Sequence, residues 1–185
     1  MILISDIDDT IKVSHTQSIL YYLLYTLILP PHPVEGMPRL YSKLSDRIDQ
    51  YIYVSASPSI LRPLYSRFIQ RYFPSGNLIL KSLASYLSLP DSRLQDNILS
   101  YKLNALSEIC LKSLNEKYIC VGDSAQADPE VYGKLYNRFP ELIKYIWIRQ
   151  IELKNEDERW RKAFQGVPDE VCTVFHDPAE LMAYL

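Results

Sequence analysis

The chain has 185 residues, of which 48% are hydrophobic and 23% charged, and this length corresponds to one globular domain. Twenty lysines and arginines against 22 aspartates and glutamates give a formal net charge of −2, which argues against a nucleic-acid-binding surface. The three cysteines are an odd number without metal-ligand spacing, which argues against a disulfide framework or a zinc site and favours a reducing compartment. We therefore expect a single cytoplasmic domain over residues 1–185.

Two apolar segments bear on localisation. The apolar start at residues 1–4 is interrupted by Asp6, Asp8 and Asp9, too early for the core of a signal peptide. The longest apolar run, residues 19–29, is well short of the roughly 17 to 25 residues that a membrane span requires. Because this run is apolar nearly all round, a buried helix covering a sheet is favoured over a lipid contact, and both alternatives stay open.

Short β-rich apolar runs alternate with segments of helical periodicity along the chain. Strands are predicted at residues 2–4, 51–54, 78–80, 118–121, 145–148 and 172–175. This alternation is typical of βαβ units. The sequence therefore predicts an α/β fold of three layers, with a central parallel sheet between helices.

Three predicted helix starts share one local pattern, in which Ser57, Asp128 and Asp177 each precede a proline and are expected to cap the helix. The helix after Ser57 is predicted to be bent by Pro63. Its expected buried face consists of Ile60, Leu61, Leu64, Tyr65, Phe68, Ile69 and Tyr72. Further helices are predicted near residues 40–48, 103–114 and 160–164.

Acidic residues cluster after two of the predicted strands. Asp6, Asp8 and Asp9 follow the first strand, and Asp123 and Asp128 follow the fourth. Carboxylates packed together repel one another unless a cation lies among them, and Mg²⁺ prefers such oxygen ligands. A solvated acidic turn is the alternative. Ligands of open α/β sheets collect at the carboxyl ends of strands, which favours a metal or ligand site.

Four motifs occur in a fixed order: D-x-D-x-T at residues 6–10, Ser55, Lys102, and G-D-S-x-x-x-D at residues 122–128. In order and spacing they resemble the four motifs of the haloacid dehalogenase superfamily of phosphohydrolases. The longer phrases SDIDDTI, YVSASP, GDSxxxDPExY and IxIR, the last at residues 146–149, are similar to the catalytic domain of actin-patch-type phosphatidate phosphatases, relatives of the lipins. This resemblance runs from residue 2 to about 150 and implies a Rossmann-like fold with a minimal or absent cap.

The resemblance also implies a role for each acid. Asp6 is expected to be the nucleophile that forms an aspartyl-phosphate, and Asp8 the general acid and base. Mg²⁺ is expected to be held by Asp6, the backbone carbonyl of Asp8, and Asp123. Asp128 is expected as a ligand or a support for one, besides its place at a helix cap, and Ser124 as a supporting residue.

The resemblance further implies substrate contacts. Ser55 is expected to hydrogen-bond to a phosphoryl oxygen, with Thr10 and Ala56 beside it, whereas Ser57 is better explained as the helix cap. Lys102 is expected to pair with the nucleophile and the phosphoryl group as charge accumulates. Lys81, at the end of the third predicted strand, is the alternative phosphate-binding lysine.

These expectations combine into a Mg²⁺-dependent phosphomonoesterase for phosphatidate or a related organic phosphate, with contact to membranes at most peripheral. One alternative keeps the chemistry but takes a soluble sugar phosphate, a nucleotide or a phosphorylated nucleic-acid end. Another is a non-catalytic phosphatidate-binding module, against which the joint presence of Asp6, Asp8 and Asp123 argues. Gln150 stands where the resemblance predicts an aspartate.

Overall fold

The structure is a computed structural model that describes residues 1–15, 30–83, 94–151 and 157–184. Its strands are β1 (Ile2–Asp6), β2 (Gln50–Pro58), β3 (Asn77–Lys81), β4 (Tyr118–Asp123), β5 (Ile143–Arg149) and β6 (Cys172–Phe175). Its α-helices are α1 (Met37–Leu44), α2 (Arg62–Tyr72), α3 (Leu94–Lys112), α4 (Asp128–Arg138) and α5 (Asp157–Ala163). Two 3₁₀ segments, Ser59–Leu61 and Pro178–Tyr184, lie after β2 and β6.

The six strands form one sheet in the order β3-β2-β1-β4-β5-β6, and every neighbouring pair is parallel. This confirms the predicted α/β fold, and all six predicted strands are present. The chain reverses its direction of winding between β1 and β4, which are neighbours at the centre of the sheet. In such a sheet the crevice at this reversal, outside the carboxyl ends of the strands, is where ligands bind.

Both faces of the sheet are covered, because successive side chains of each strand point to opposite faces. Leu3 of β1 belongs to one hydrophobic cluster, together with Tyr41 of α1 and Phe68 of α2. Ile4 belongs to the other, with residues of α3 and α4. The central strands are thus buried on two sides, and their carboxyl ends are held between helical layers.

The predicted helix after Ser57 differs from the structure. Strand β2 continues through Pro58, a 3₁₀ turn follows, and α2 begins only at Arg62, so Ser57 does not cap a helix. Pro63 lies in the first turn of α2, where its fixed φ suits a helix start, and it does not bend the helix. Ile60 is 67% exposed because it precedes α2, so its assignment to the buried face was wrong.

Two other helix ends also differ from expectation. Asp128 is the first residue of α4, whose N-cap is Ala127, so the carboxylate is free for contacts other than capping. Helix α3 ends at Lys112, which leaves Leu114 57% exposed. The cap at Asp177 is confirmed, since its Oδ1 accepts a hydrogen bond from the Ala179 backbone N–H at 2.8 Å.

Among the described residues, no helix combines the length and apolar character needed to cross a membrane. The apolar run at residues 19–29 lies outside the described residues.

Candidate active site

Three buried aspartates meet at the carboxyl ends of the two central strands. Asp6 ends β1, Asp123 ends β4, and Asp128 opens α4 directly after the loop that follows β4. One carboxylate oxygen from each lies within 4.8 Å of those of the other two. The structure therefore brings the two acidic clusters of the sequence together at the reversal point of the sheet.

Lys102 reaches this group from α3. Its Nζ lies 2.5 Å from Asp6 Oδ1 and 2.5 Å from Asp128 Oδ1, and the side chain is buried. Burial alone would lower the pKa of Lys102, but the carboxylates of Asp128 and Asp6 outweigh it and hold the pKa above its usual value. The structure places Lys102, rather than Lys81, against Asp6. Lys102 lies well inside α3, which begins at Leu94 and thus earlier than the helix predicted near residues 103–114.

One ammonium group against three carboxylates leaves negative charge in a buried space. Burial raises the pKa of Asp6 well above its usual value; Lys102 lowers it, and Asp128 raises it further. Burial and Asp128 raise the pKa of Asp123 from 3.8 to about 8. Protons or a cation must offset this charge. A divalent metal ion with oxygen ligands fits the donor set, the burial and the charge of this group.

Hydrogen bonds orient the two carboxylates that end β1 and β4. Thr10 Oγ1 lies 3.3 Å from Asp6 Oδ2 and 3.1 Å from Asp123 Oδ2, so one hydroxyl bridges the strands. The backbone N–H groups of Ala125 and Gln126 donate to Asp123 Oδ1. These contacts fix the side chain of Asp123 and point Oδ2 toward Asp6.

Asp8 is buried in a separate network of hydroxyl groups. Ser55 and Ser57 donate to its Oδ2 at 2.9 and 3.1 Å, and Tyr65 OH lies within 3.0 Å of both carboxylate oxygens. Ser14 donates to Oδ1 at 2.7 Å. Ser57 therefore holds Asp8, which corrects its interpretation as a helix cap. Ser55 contacts the side chain of Asp8, and Ala56 follows it in β2, half-buried.

Lys12 is a further member of the Asp8 network that the sequence reasoning missed. It is fully buried, donates to Ser14 Oγ at 2.7 Å, and has its Nζ 3.8 Å from Asp8 Oδ1. Ser14 and Tyr65 were missed as well. The signal for Lys12 and Ser14 was the polar-apolar alternation of residues 10–14, which places them on the same side as Thr10.

Asp9 shapes the turn that follows β1. It adopts a left-handed conformation with φ 58°, and its Oδ1 accepts the backbone N–H groups of Ser14 and His15 at 2.9 and 2.7 Å. Arg149, at the end of β5, donates to the Asp9 carbonyl oxygen at 2.7 Å. The turn is thus tied to a strand two positions away in the sheet.

The loop between β4 and α4 is closely packed around Asp128. A Cβ atom at Gly122 would lie 2.5 Å from Asp128 Oδ2 and 2.7 Å from Tyr132 Cε2, so a larger residue would displace that carboxylate. Ser124 Oγ accepts the Ile151 backbone N–H at 3.0 Å. Ser124 therefore anchors the loop to the segment after β5 and does not reach the carboxylate group through its hydroxyl.

Arg159 of α5 holds the same loop from outside. Its guanidinium pairs with Glu130 through contacts of 2.7 and 3.0 Å and donates to the carbonyl oxygens of Ser124 and Gln126. One side chain thus connects α5, α4 and the backbone between Asp123 and Asp128.

A parallel sheet in this order, with buried aspartates at the ends of its central strands and a helical lysine paired with them, defines the class of haloacid dehalogenase-like catalytic domains. Residues 1–150 match the family described as phosphatidate phosphatase APP1, catalytic domain, and the chain belongs to this family. The resemblance drawn from the four motifs is confirmed.

Two curated relatives show the same similarity. Phosphatidate phosphatase APP1 of Saccharomyces cerevisiae is 31% identical over 151 residues, which cover 80% of this chain and 25% of that protein. An uncharacterized protein of Schizosaccharomyces pombe is 28% identical over 155 residues, again 80% of this chain and 25% of the relative. The chain thus spans about a quarter of the length of these relatives.

Proposed function

We propose that this chain is a catalytic domain over residues 1–185 that hydrolyses phosphatidate, a phosphomonoester, with Mg²⁺ and an aspartyl-phosphate intermediate. The observation that carries the proposal is the buried group of Asp6, Asp123 and Asp128 with Lys102 among them. Membership in the APP1 catalytic-domain family supports phosphatase chemistry, and the name of the yeast relative supports phosphatidate as substrate. The domain would meet this substrate at a membrane surface.

The metal ion would be held by Asp6, Asp123 and the backbone carbonyl of Asp8, with Asp128 as a further ligand or a support. When bound, Mg²⁺ offsets the charge of these carboxylates and of the phosphoryl oxygens. The carboxylates are buried and short of positive charge, which supports this assignment.

The nucleophile is the Asp6 carboxylate, which attacks phosphorus and forms an acyl-phosphate bond while the bond to the leaving oxygen breaks. Asp8 donates the proton that the leaving oxygen needs, and then accepts a proton from the water that attacks the phosphorus of the intermediate. That second attack releases inorganic phosphate and restores the Asp6 carboxylate. Lys102 offsets the negative charge on Asp6 and the phosphoryl group, while Ser55, Thr10 and Ala56 border the substrate.

The test is phosphate release by the purified chain from a panel of phosphomonoesters that includes phosphatidate in detergent micelles, with Mg²⁺ or with a chelator. We expect release from phosphatidate that requires Mg²⁺ and disappears in Asp6→Asn. Asp46→Asn, a change at an exposed aspartate, is the matched control and should retain full activity.

Three results would contradict parts of the proposal. Full Mg²⁺-dependent turnover by Asp6→Asn would reject the nucleophile. Turnover confined to water-soluble substrates would reject phosphatidate in favour of a soluble phosphomonoester. Binding to phosphatidate vesicles without any phosphate release would identify a binding module.

A further inference from the structure

Lys81 is a buried lysine that the proposed mechanism does not use. It ends β3 and is 6% exposed. Among the described residues, no carboxylate lies within 4.0 Å of its Nζ, which instead lies 5.9 Å from the centre of the Tyr101 ring. Burial lowers the pKa of Lys81, because the charged form loses hydration without gaining a counter-charge. Since no carboxylate of the described residues pairs with this ammonium, a bound anion would supply the counter-charge that it lacks.

Tyr101 presents a second unpartnered group next to this lysine. Its hydroxyl oxygen is buried and has no hydrogen-bond partner among the described residues. Burial raises the pKa of Tyr101, while the positive charges of Lys102 and Arg62 lower it in part. A donor hydroxyl without an acceptor, on a ring whose centre lies 5.9 Å from the Lys81 Nζ, is suited to an oxyanion.

These groups lie at the same edge of the sheet as the carboxylate group. Lys81 pairs in register with Pro58, and the preceding Leu80 pairs with Ser55, whose hydroxyl donates to Asp8. Strand β3 is two strands away from β1, which corresponds to roughly 10 Å across the sheet. Tyr101 directly precedes Lys102 in α3. The end of β3, where Lys81 lies, is therefore at the edge of the sheet that carries the carboxylate group, and Tyr101 stands next to the lysine that pairs with Asp6.

The charge of the surrounding sequence also favours an anion. Residues 50–90 contain no aspartate or glutamate and carry Arg62, Arg67, Arg71 and Lys81. The formal net charge of −2 therefore combines a segment of +4 with a remainder of −6. This segment forms β2, α2 and β3, on the side of the sheet where Lys81 lies.

We propose that Lys81 and Tyr101 form a second anion-binding subsite that takes a phosphate group distinct from the one attacked by Asp6. The phosphate would accept hydrogen bonds from the Lys81 ammonium and the Tyr101 hydroxyl. It comes either from a second phosphate of the same substrate or from the headgroup of an anionic phospholipid next to the substrate. Its relation to catalysis rests on the proposed function, but its ability to bind an anion does not.

The direct test measures the unfolding temperature of the full chain in inorganic phosphate and in chloride of equal ionic strength. Each measurement is made once with Mg²⁺ and once with a chelator. Phosphate should raise the unfolding temperature of the wild type with the chelator present, because a ligand of the folded state stabilises it. Lys81→Met should raise the dissociation constant for phosphate by about tenfold or more, and Tyr101→Phe should raise it by less. Lys81→Arg should retain binding.

Lys112→Met is the matched control, because Lys112 is exposed and lies at the far end of α3. It should leave phosphate stabilisation unchanged. Without phosphate, Lys81→Met should unfold at a higher temperature than the wild type, since it removes a buried charge without a carboxylate partner. A lysine with a purely structural role would give the opposite result, and equal phosphate stabilisation of wild type and Lys81→Met would overturn the subsite.

Kinetics distinguish the two sources of the phosphate. A loss in Lys81→Met of the preference for a soluble bisphosphate over the matching monophosphate would assign the subsite to a second phosphate of the substrate. The other source predicts that phosphatidylglycerol, added to phosphatidylcholine vesicles containing phosphatidate, accelerates phosphate release by the wild type. Loss of this acceleration in Lys81→Met would assign the subsite to a neighbouring lipid. If the wild type releases no phosphate from any substrate, the proposed function fails, and phosphate binding still decides whether the subsite exists.

Discussion

Lys102 shows how a single residue sets the charge of the site. It is buried between Asp6 and Asp128, with Nζ 2.5 Å from an oxygen of each. Lys102→Met would leave the buried carboxylates without their cation, and we expect a loss of about 3 to 5 kcal/mol in the free energy of unfolding. Urea denaturation with a chelator present measures this loss. Mg²⁺ should restore part of it, and a variant as stable as the wild type would show that the ion pairs contribute nothing net.

Tyr65 allows the orientation of Asp8 to be tested. Its hydroxyl lies within 3.0 Å of both oxygens of Asp8, so Tyr65→Phe removes one hydrogen bond and leaves the ring packing intact. We expect a loss of about 1 kcal/mol in stability. The phosphatase turnover number should fall more than KM changes, because the proposed mechanism assigns proton transfer, and not substrate binding, to Asp8.

The matched control is Tyr72→Phe on the same helix, since the half-buried Tyr72 packs against Phe68 and lies away from Asp8. It should retain the wild-type turnover number. If Tyr65→Phe instead raised KM and left the turnover number unchanged, Tyr65 would be a residue that contacts the substrate.

At this scale the sequence predicted that Asp6 and Asp123 lie at the carboxyl ends of strands. That the two aspartates meet across neighbouring strands was implied by the motif resemblance. The partners of Asp8 were not, because Ser57 and Tyr65 reach it only when β2 continues past its apolar run. A serine before a proline is typical of a helix cap, and the extension of β2 overrides that local preference.

Helix α5 acts on the site as an element, through Arg159. This arginine donates to two carbonyl oxygens of the loop between Asp123 and Asp128 and pairs with Glu130. Arg159→Met should loosen the loop, and residues that orient metal ligands typically affect metal affinity by about 10- to 100-fold. We expect the affinity for Mg²⁺ to fall by a factor near the lower end of that range. Calorimetric titration with Mg²⁺ measures this affinity.

The matched control on α5 is Lys162→Met, a change at an exposed lysine. It should leave the dissociation constant for Mg²⁺ unchanged. Equal affinity in Arg159→Met and Lys162→Met would show that the loop keeps its shape without the guanidinium group. Arg159 lies beyond residues 1–150, so the family match does not include it.

The elements themselves were largely predictable, and their ends were not. All six strands coincide with apolar runs, since strands of a sheet covered on both faces are nearly continuously hydrophobic. Helix starts were predicted from one pattern at Ser57, Asp128 and Asp177, and only the last carries the expected cap. At the other two positions the side chain makes a different contact: Ser57 donates to Asp8, and Asp128 accepts from Lys102. These contacts replace the capping that the local sequence favours.

For the molecule as a whole, alternating strands and helices predicted a parallel sheet but not the order of its strands. The order decides which strand ends are neighbours, and it depends on packing between Leu3, Tyr41 and Phe68 on one face and a separate cluster on the other. Such contacts join residues far apart in the chain, and periodicity along the sequence does not reveal them. The motif resemblance supplied the adjacency of β1 and β4 that periodicity lacked.

The stability of the whole molecule should depend on pH and metal together. Burial raises the pKa of Asp6 well above its usual value, and that of Asp123 from 3.8 to about 8. A carboxyl group whose pKa is raised by folding contributes stability below its unfolded pKa and loses it as pH rises through the folded pKa. The metal-free chain should therefore become less stable between about pH 4 and pH 8 because of Asp123, and the raised pKa of Asp6 acts in the same direction.

Mg²⁺ binds the ionised carboxylates, so it competes with protons and its stabilising effect should grow over the same pH range. We expect the difference in unfolding temperature between Mg²⁺ and chelator to be small at pH 6 and larger at pH 8. Asp123→Asn removes one of the two titrating groups and should flatten this dependence, whereas Asp46→Asn should not. A Mg²⁺ effect of the same size at every pH would mean that these carboxylates are already ionised in the folded chain without metal.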